Sequence, residues 1–569
     1  MAPVTLERIE TDKGVVAGET TDGITVFKGI PYAAAPVGDL RWKPPQDAIA
    51  WEGEVGGAYG PACPQPTFDS MEGSDPVGPT SEDCLYLNVT TSGVDADALK
   101  PVMFWIHGGA FKLGSGTDAM YDGAHLAAKG VVVVTINYRL GLLGFFAHPA
   151  LDAESAAGAA SDGETGDGET GDEETAAANG TVNFGLLDVI KALQWTQANI
   201  ALFGGDPGNV TIFGQSAGAM SVLSMIASPL TRPPKPALFH KAIAQSPYAI
   251  PEQSRATALA TGVDVATKLF GLDGVTATAE QLRAVPEELF TEKLMPPTLP
   301  EVGVMIQVPV PALGPSPIEG DDVLPNGIRA AFQANLQAKV PLIVGSNDDE
   351  GSILGPFGLR PGLLLDVIIA KGGAFAKDII EKLQAGYETT GELTDADRCP
   401  DVDLKDPCYW DRLGSLILRD MLFTAQARWM AGNHIPLGGT SKSRRYYFSY
   451  LPELLREDQP HGVPHGGEIV FPFMTGATGG ATRGKFTPAD EAVAAKVCDY
   501  WVSFAKTGTP AAEGEPAWPL HRLVEDTTLI IGETGEPGKT FKVQKDFRDA
   551  TLTALTNLYP FLEAALKAG

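Results

Sequence analysis

The chain has 569 residues, of which 71 are acidic and 42 are basic, so its formal net charge is −29. A surface this acidic repels phosphates and anionic headgroups, which excludes nucleic acid and membrane surfaces as partners. The hydrophobic fraction of 44% allows a large buried core and excludes global disorder. The first residues lack the apolar stretch of a signal peptide, so we expect a soluble protein that is intracellular or has already lost its signal.

Short β-branched and aromatic runs alternate with longer segments that are compatible with helices. The predicted strands are Val102–Ile106, Val131–Ile136, Val210–Phe213, Pro341–Val344, Tyr446–Tyr450 and Thr527–Ile531. The predicted helices are Leu186–Asn199, Ala217–Ser228 and Glu491–Lys506. Apolar strands separated by helices predict an α/β fold with a large, mostly parallel central sheet covered by helices on both faces.

An acidic segment interrupts this pattern. Residues 152–178 carry nine acidic and no basic side chains, and residues 162–171 repeat the sequence DGETG twice. Too few apolar groups are present to offset the entropy of ordering, so we predict a mobile insertion. Carboxylates suit hard cations, but the spacing lacks the ligand alternation of a calcium loop, so no metal is expected.

The cysteine spacing leaves two interpretations open. Cys63 and Cys84 lie 21 positions apart, Cys399 and Cys408 lie 9 apart, and Cys498 stands alone. Two local disulfides and one buried thiol would fit an oxidising compartment. Five buried free thiols would fit a cytosolic protein equally well.

The clearest chemical motif is Gly214-Gln215-Ser216-Ala217-Gly218, which lies between a predicted strand and a predicted helix. Small residues on both sides of the serine are typical of a tight strand-to-helix turn, and the helix N-terminus adds positive potential near the hydroxyl. Ser216 is therefore the predicted nucleophile.

A serine nucleophile needs a histidine base and an acid that orients it. In α/β-hydrolases both come after the serine in the sequence, the acid first and the histidine second. The histidines in the downstream range are His434, His461, His465 and His521. We favour His465, because the segment His465-Gly466-Gly467-Glu468 is a glycine-bearing loop suited to a mobile, exposed imidazole. Asp348, Asp349 and Glu350 follow a predicted strand together, and their spacing does not choose among them as the acid.

Oxyanion stabilisation requires main-chain N–H groups that point at the developing charge. The segment His107-Gly108-Gly109-Ala110 follows a predicted strand and matches the glycine-rich loop that supplies such donors opposite the nucleophile. The glycines allow main-chain geometry that larger residues cannot adopt.

Together these segments resemble the type B carboxylesterase family, which includes the cholinesterases. The matching segments are FKGIPYA at 27–33, SEDCLYLNV at 81–89, WIHGGAF at 105–111, NYRLG at 137–141, GGDP at 204–207, the serine motif, and WVSFAKTG at 501–508. They occur in family order over nearly the whole chain. The resemblance implies a single α/β-hydrolase domain over residues 1–569.

The resemblance also implies roles for individual residues. The acid is Glu350, the base is His465, and the oxyanion donors are the N–H groups of Gly109, Ala110 and Ala217. The residues matching the family's disulfide and structural ion pairs are Cys63 with Cys84, Arg41 with Glu82, and Arg139 with Asp188.

Two departures from the family pattern concern the substrate. Gln215 stands where the family usually has Glu, which removes a negative charge next to the nucleophile. No tryptophan lies between Cys63 and Cys84, where cholinesterases carry the one that binds quaternary ammonium. Choline esters are therefore not expected as substrates.

The resulting hypothesis is a serine carboxylesterase that hydrolyses small-molecule esters of neutral alcohols and needs no cofactor. The alternatives are a non-catalytic adhesion member of the same fold, and a lipase or an aromatic polyester hydrolase.

Overall fold

A computed structural model provides the coordinates. It describes residues 5–66, 78–95, 98–161, 180–232, 235, 237–249, 252–291, 316–357, 360–397, 407–434, 442–479, 482–522, 525–533 and 538–555.

The described residues form fifteen strands. They are β1 Thr5–Glu10, β2 Val15–Thr21, β3 Ile24–Pro31, β4 Glu54–Val55, β5 Tyr86–Thr91, β6 Lys100–Ile106, β7 Val132–Ile136, β8 Gly205–Gln215, β9 Lys241–Gln245, β10 Gln253–Ser254, β11 Ile318–Glu319, β12 Leu342–Asn347, β13 Ser443–Phe448, β14 Thr528–Ile531 and β15 Phe541–Gln544. All six predicted strands are confirmed, as β6, β7, β8, β12, β13 and β14.

Thirteen of these strands form one sheet in the order β1-β2-β3-β5-β7-β6-β8-β9-β12-β13-β14-β15, with β4 beside β2. From β7 to β14 every neighbouring pair is parallel. The N-terminal strands β1, β2, β3 and β5 add an antiparallel edge that the sequence patterns did not predict. Parallel strands direct their carboxyl ends to the same sheet edge, where ligands bind in open α/β sheets.

The described residues also form fourteen α-helices. They are α1 Ala124–Ala128, α2 Gly141–Gly144, α3 Pro149–Ser161, α4 Phe184–Asn199, α5 Ala217–Ala227, α6 Arg255–Lys268, α7 Ala279–Arg283, α8 Glu288–Thr291, α9 Gly327–Gln333, α10 Pro361–Thr390, α11 Pro407–Leu418, α12 Ala425–Asn433, α13 Val470–Phe473 and α14 Pro488–Thr507. The predicted helices correspond to α4, α5 and α14. No described helix combines the length and the apolar character that crossing a membrane requires.

Each face of the sheet carries its own apolar core. Adjacent residues of a strand point to opposite faces, so Phe104 joins one core and Trp105 joins the other. The Phe104 core packs against α4, α5 and α12, and the Trp105 core packs against α13 and α14. Burial on both faces explains the continuous apolar runs in central strands, such as Val102–Ile106 of β6.

The predicted covalent and ionic links near the N-terminal half are present. Cys63 and Cys84 form a disulfide with Cα atoms 5.0 Å apart, and Cys498 is a buried free thiol. The expected partner of Cys408, Cys399, lies outside the described residues, so that bridge stays a prediction.

Both predicted ion pairs are also formed. Arg139 donates from Nε and Nη2 to both carboxylate oxygens of Asp188, at 2.8 and 2.7 Å. Arg41 makes the same two-point contact with Glu82.

The acidic segment expected at residues 152–178 begins inside α3. Its first ten residues are helical, which differs from the mobile insertion predicted for the whole segment. Two ion pairs hold this part of α3, Asp152 with Arg255 and Glu154 with Arg283. Residues 162–179 lie outside the described residues, and their mobility stays a prediction. The described chain resumes at Gly180, next to α3. A methyl group built on Gly180 would lie 3.0 Å from Cβ of Ser155.

Candidate active site

Ser216 occupies the turn between β8 and α5, as predicted. Its main chain has φ 57° and ψ −122°, a conformation that costs energy for a residue with a side chain. The turn is held by a hydrogen bond from the Ser216 N–H to the Gln245 carbonyl of β9, at 2.9 Å. Strain of this kind persists only where the surrounding structure enforces it, and it is common at functional sites.

The glycines on either side of Ser216 are required by contact with β6. A Cβ at Gly214 would lie 2.6 Å from the Ile106 carbonyl oxygen, and a Cβ at Gly218 would lie 2.0 Å from the same atom. Both distances are shorter than real side chains show. The turn therefore approaches the end of β6 as closely as the main chain allows.

His465 lies in the loop after β13 and is fixed by Glu350. The imidazole Nδ1 and Glu350 Oε2 are 2.5 Å apart, and Oε1 of Glu350 accepts from the Asn347 N–H at 2.7 Å. Because an ionised carboxylate only accepts, Nδ1 carries the proton and Nε2 keeps a free lone pair. The side chain of His465 is only 11% exposed, so the imidazole is less exposed than the glycine-rich sequence predicted.

The three acidic residues after β12 have different partners. Glu350 binds His465, whereas Asp349 pairs with Arg412 and Asp348 accepts from the Val463 N–H. Burial raises the pKa of Asp348 to about 7 and that of Asp349 to about 6. Of these three acids, only Glu350 contacts the imidazole.

The other side of the imidazole faces the serine turn. His465 Nε2 lies 3.3 Å from Nε2 of Gln215, the residue immediately before Ser216. The amide N–H of Gln215 can therefore donate to the free lone pair of the imidazole. The ring also lies against Phe423, with ring centroids 5.2 Å apart. The structure thus brings all three predicted catalytic residues to the carboxyl ends of β8, β12 and β13.

The predicted oxyanion loop lies directly against this turn. A Cβ at Gly108 would lie 3.2 Å from Cβ of Ser216. Gly109, Ala110 and Phe111 all have positive φ, at 107°, 55° and 59°. Among the described residues, the N–H groups of Gly109, Ala110 and Ala217 have no main-chain acceptor. Free N–H groups in such a turn and at a helix N-terminus form a cradle for an anion.

A cluster of buried polar side chains holds the loop that carries His465. Glu468 accepts from Asn347 at 2.7 Å and from Gln245 at 3.3 Å, and Gln245 in turn accepts from the Trp501 indole at 3.2 Å. Burial, with the charge of Glu350 as the second cause, raises the pKa of Glu468 to about 7. Sequence reasoning missed Asn347 and Gln245, and the only available signal was their position at the ends of β12 and β9.

The profile of the carboxylesterase family matches residues 6–159 and 170–549. The chain belongs to the carboxylesterase family. The break in the match falls within the acidic segment. The chain is thus an α/β-hydrolase that cleaves carboxylic esters, and the adhesion alternative is not favoured.

Individual relatives cover most of the chain. It is 34% identical to the fumonisin B1 esterase of Sphingopyxis macrogoltabida over 90% of its own length and 83% of that protein. It is 32% identical to the para-nitrobenzyl esterase of Bacillus subtilis (strain 168) over 93% of its length and 95% of that enzyme. The alignment with the solved structure of the Geobacillus stearothermophilus carboxylesterase EST55 spans 96% of this chain and 99% of that one. Its TM-score is 0.71 and the sequence identity is 28%.

Proposed function

We propose that the protein hydrolyses esters through a covalent acyl-enzyme in which Ser216 is the nucleophile, His465 the base and Glu350 the orienting acid. The observation that carries the proposal is the Glu350–His465 hydrogen bond of 2.5 Å, on an imidazole whose second nitrogen faces the serine turn. Small-molecule esters of neutral alcohols are the proposed substrates.

In the first half-reaction, the Ser216 hydroxyl attacks the ester carbonyl carbon and passes its proton to Nε2 of His465. The carbonyl oxygen becomes negatively charged and is stabilised by the N–H groups of Gly109, Ala110 and Ala217. Collapse of this intermediate breaks the bond to the alkoxy oxygen, which takes the proton from His465 and leaves as the alcohol.

In the second half-reaction, water attacks the acyl-serine carbonyl and gives one proton to Nε2 of His465. The second tetrahedral intermediate is stabilised by the same N–H groups. Its collapse releases the carboxylic acid, and the proton on His465 returns to the Ser216 oxygen. Throughout both steps Glu350 holds the Nδ1–H tautomer and stabilises the imidazolium when it forms.

The test is the variant Ser216→Ala, assayed with p-nitrophenyl acetate and with a fluorophosphonate probe. We expect turnover to fall by several orders of magnitude and labelling to disappear, because no other hydroxyl lies at the turn. The matched control is Ser224→Ala in α5, the helix that follows Ser216. The buried Ser224 hydroxyl donates only to the Met220 carbonyl. Wild-type turnover in Ser216→Ala would refute the proposal.

A further inference from the structure

The imidazole of His465 is fixed at one edge by a hydrogen bond, which does not by itself set the plane of the ring. Its Nδ1 is bonded to Glu350 Oε2 at 2.5 Å. Because the χ2 torsion of a histidine is broad, the ring can turn about this contact unless its faces are packed. The aromatic ring that lies against it in the described structure belongs to Phe423, with centroids 5.2 Å apart and planes inclined by 55°. Phe423 is therefore placed to restrict rotation of Nε2 away from Ser216.

The ring of Phe423 lies outside the apolar cores of the sheet. It is only 2% exposed, yet it belongs neither to the two cores that cover the sheet nor to the smaller cluster that contains Met421. Within the described part of the chain, its ring contacts those of His465 and Tyr248, with centroids 5.2 and 6.3 Å away. Tyr248 follows β9, the strand between β8 and β12. The ring is thus buried at the catalytic edge of the sheet.

The main chain that carries Phe423 is π-helical. Residues Arg419–Thr424 form a π turn between α11 and α12, and the Ala425 N–H donates to the Asp420 carbonyl five residues earlier. Such turns are rare, occur mostly as single turns inside α-helices, and are frequent at functional sites. The change in hydrogen-bond spacing alters the angle at which side chains leave the helix. The π turn therefore sets the direction of the Phe423 side chain.

A cluster of four charged side chains anchors the start of the π turn. Arg419 donates from Nε and Nη2 to both carboxylate oxygens of Asp420, each at 2.9 Å, and these two side chains are 2% and 0% exposed. Arg548 donates to Asp420 at 3.1 Å, and both arginines also bind Glu392. Nη1 of Arg419 lies 3.3 Å from the Asp348 carbonyl, to which it donates. Because breaking a buried ion pair is strongly unfavourable, this cluster keeps the turn in one position.

The π turn is also bonded to the strand ends around the catalytic residues. The Ser346 hydroxyl, near the end of β12, donates to the Thr424 hydroxyl at 3.2 Å. On the other side of Phe423, the Leu422 carbonyl accepts from the Ala249 N–H at 2.8 Å, in the loop after β9. The residues on both sides of Phe423 are thus fixed to loops that adjoin the catalytic acid and the serine turn.

We propose that Phe423 is a positioning residue that holds the imidazole of His465 in the orientation needed for proton transfer with Ser216. The π turn and its ion cluster place the ring. The inference rests on the proposed function, in which His465 moves a proton in both half-reactions. A displacement of about 1 Å in a reacting group can lower the rate about 10²-fold. Because every ester depends on the same proton transfer, loss of the ring slows all substrates alike and leaves substrate binding almost unchanged.

The experiment measures kcat and KM of Phe423→Ala for p-nitrophenyl acetate and p-nitrophenyl hexanoate. We expect kcat to fall about 10²-fold for both esters while KM stays within about 3-fold of wild type. Phe332→Ala is the matched control. Phe332 is also 2% exposed and its ring lies against a histidine, His434, which is bonded to the Val340 carbonyl and takes no part in the reaction. This control should lose stability as well, but its kcat should stay within about 3-fold of wild type.

A second variant, Phe423→Leu, covers the case in which Phe423→Ala does not fold, because leucine fills much of the space of the ring. It leaves part of the imidazole face uncovered, so we expect an equal fall in kcat of at least about 3-fold for both esters. Unchanged kcat in a folded Phe423 variant, or an equal fall in Phe332→Ala, would overturn the proposal.

The two esters separate positioning of the base from contact with the substrate. A fall confined to one ester, or a change in KM alone, would also overturn the proposal, because it would place Phe423 at the acyl group. Absence of hydrolysis of both esters by the wild type would instead refute the proposed function.

Discussion

The serine turn and the histidine loop bring their reacting groups together by different means. The serine turn, residues 214–218, is held by main-chain contacts with β6 and β9. The histidine loop, residues 461–468, is held mainly by side chains from the end of β12 and the segment that follows it. Asp348 accepts from the Val463 N–H at 2.6 Å, Asn347 donates to the Pro464 carbonyl at 2.9 Å, and Ser352 accepts from the His465 N–H at 2.9 Å.

This difference decides how each loop responds to change. Where main-chain atoms are in close contact, as at Gly214 and Gly218, a larger side chain does not fit. These contacts do not change with pH, because main-chain groups do not titrate. Side-chain contacts tolerate conservative replacement, and those made by carboxylates depend on the protonation state of the acid. The serine turn should therefore be sensitive to volume, and the histidine loop to charge.

The largest expected effect is a loss of activity when the hydrogen bond between Glu350 and His465 is changed. In Glu350→Gln the amide can donate to Nδ1 of His465, which favours the tautomer with a proton on Nε2, where no proton can then be accepted. We expect kcat for p-nitrophenyl acetate to fall about 10³- to 10⁴-fold with the melting temperature little changed. A loss smaller than about 10-fold would show that Asp348 or Asp349 can take over.

The second prediction concerns the stability of the serine turn, which is held by main-chain contacts. In Gly218→Ala the new methyl group would lie 2.0 Å from the Ile106 carbonyl oxygen. We expect the free energy of unfolding to fall by about 3 kcal/mol or more, measured by urea denaturation. Gly386→Ala in α10 is the control, because nothing lies within 4 Å of its Cβ position, and it should gain about 0.5–1 kcal/mol. Equal stability of Gly218→Ala and wild type would contradict the close approach.

The smallest effect concerns the pH dependence of the histidine loop. The pKa of Asp348 is raised from 3.8 to about 7 on folding, so between these values the folded state binds one more proton than the unfolded state. Its contribution to stability is complete at low pH and is lost as the pH rises towards 7. In Asp348→Asn the amide oxygen can keep the Val463 contact without titrating.

We therefore expect the stability of Asp348→Asn relative to wild type to increase by about 1 kcal/mol per pH unit between about pH 5 and about pH 7. Urea denaturation of both proteins at several pH values measures this difference. Asp264→Asn, at an exposed position of α6, should show no such trend. A constant difference between Asp348→Asn and wild type would refute the role of Asp348 in this dependence.

The same contrast explains what the sequence could predict. The serine turn was predictable because only glycine fits at positions 214 and 218. Six of the central parallel strands were predictable because burial on both faces gives them short apolar runs. Strand β9, with the sequence KAIAQ, was not predicted although it lies between β8 and β12. Strands β1 and β2 were missed because they lie near an exposed edge, where half of their side chains are polar.

The supports of the histidine loop could not be found in this way. Asp348 and Val463 are 115 positions apart, and nothing in either local sequence indicates that they meet. The choice of Glu350 over its two acidic neighbours came from family resemblance, and Glu350 contacts His465 across the same separation of 115 positions. Long-range polar contacts between loops leave no periodic pattern.

The return of the chain at Gly180 beside Ser155 has a consequence for how this protein can vary. Because the main chain leaves α3 and comes back to it, residues between these points can be added or removed at a small cost in loop-closure entropy and without shifting β8, β12 or β13. Seven of the acidic side chains lie at positions 162–179. The charge and the length of the chain can therefore change together at this one place, independently of the geometry that positions Ser216 and His465.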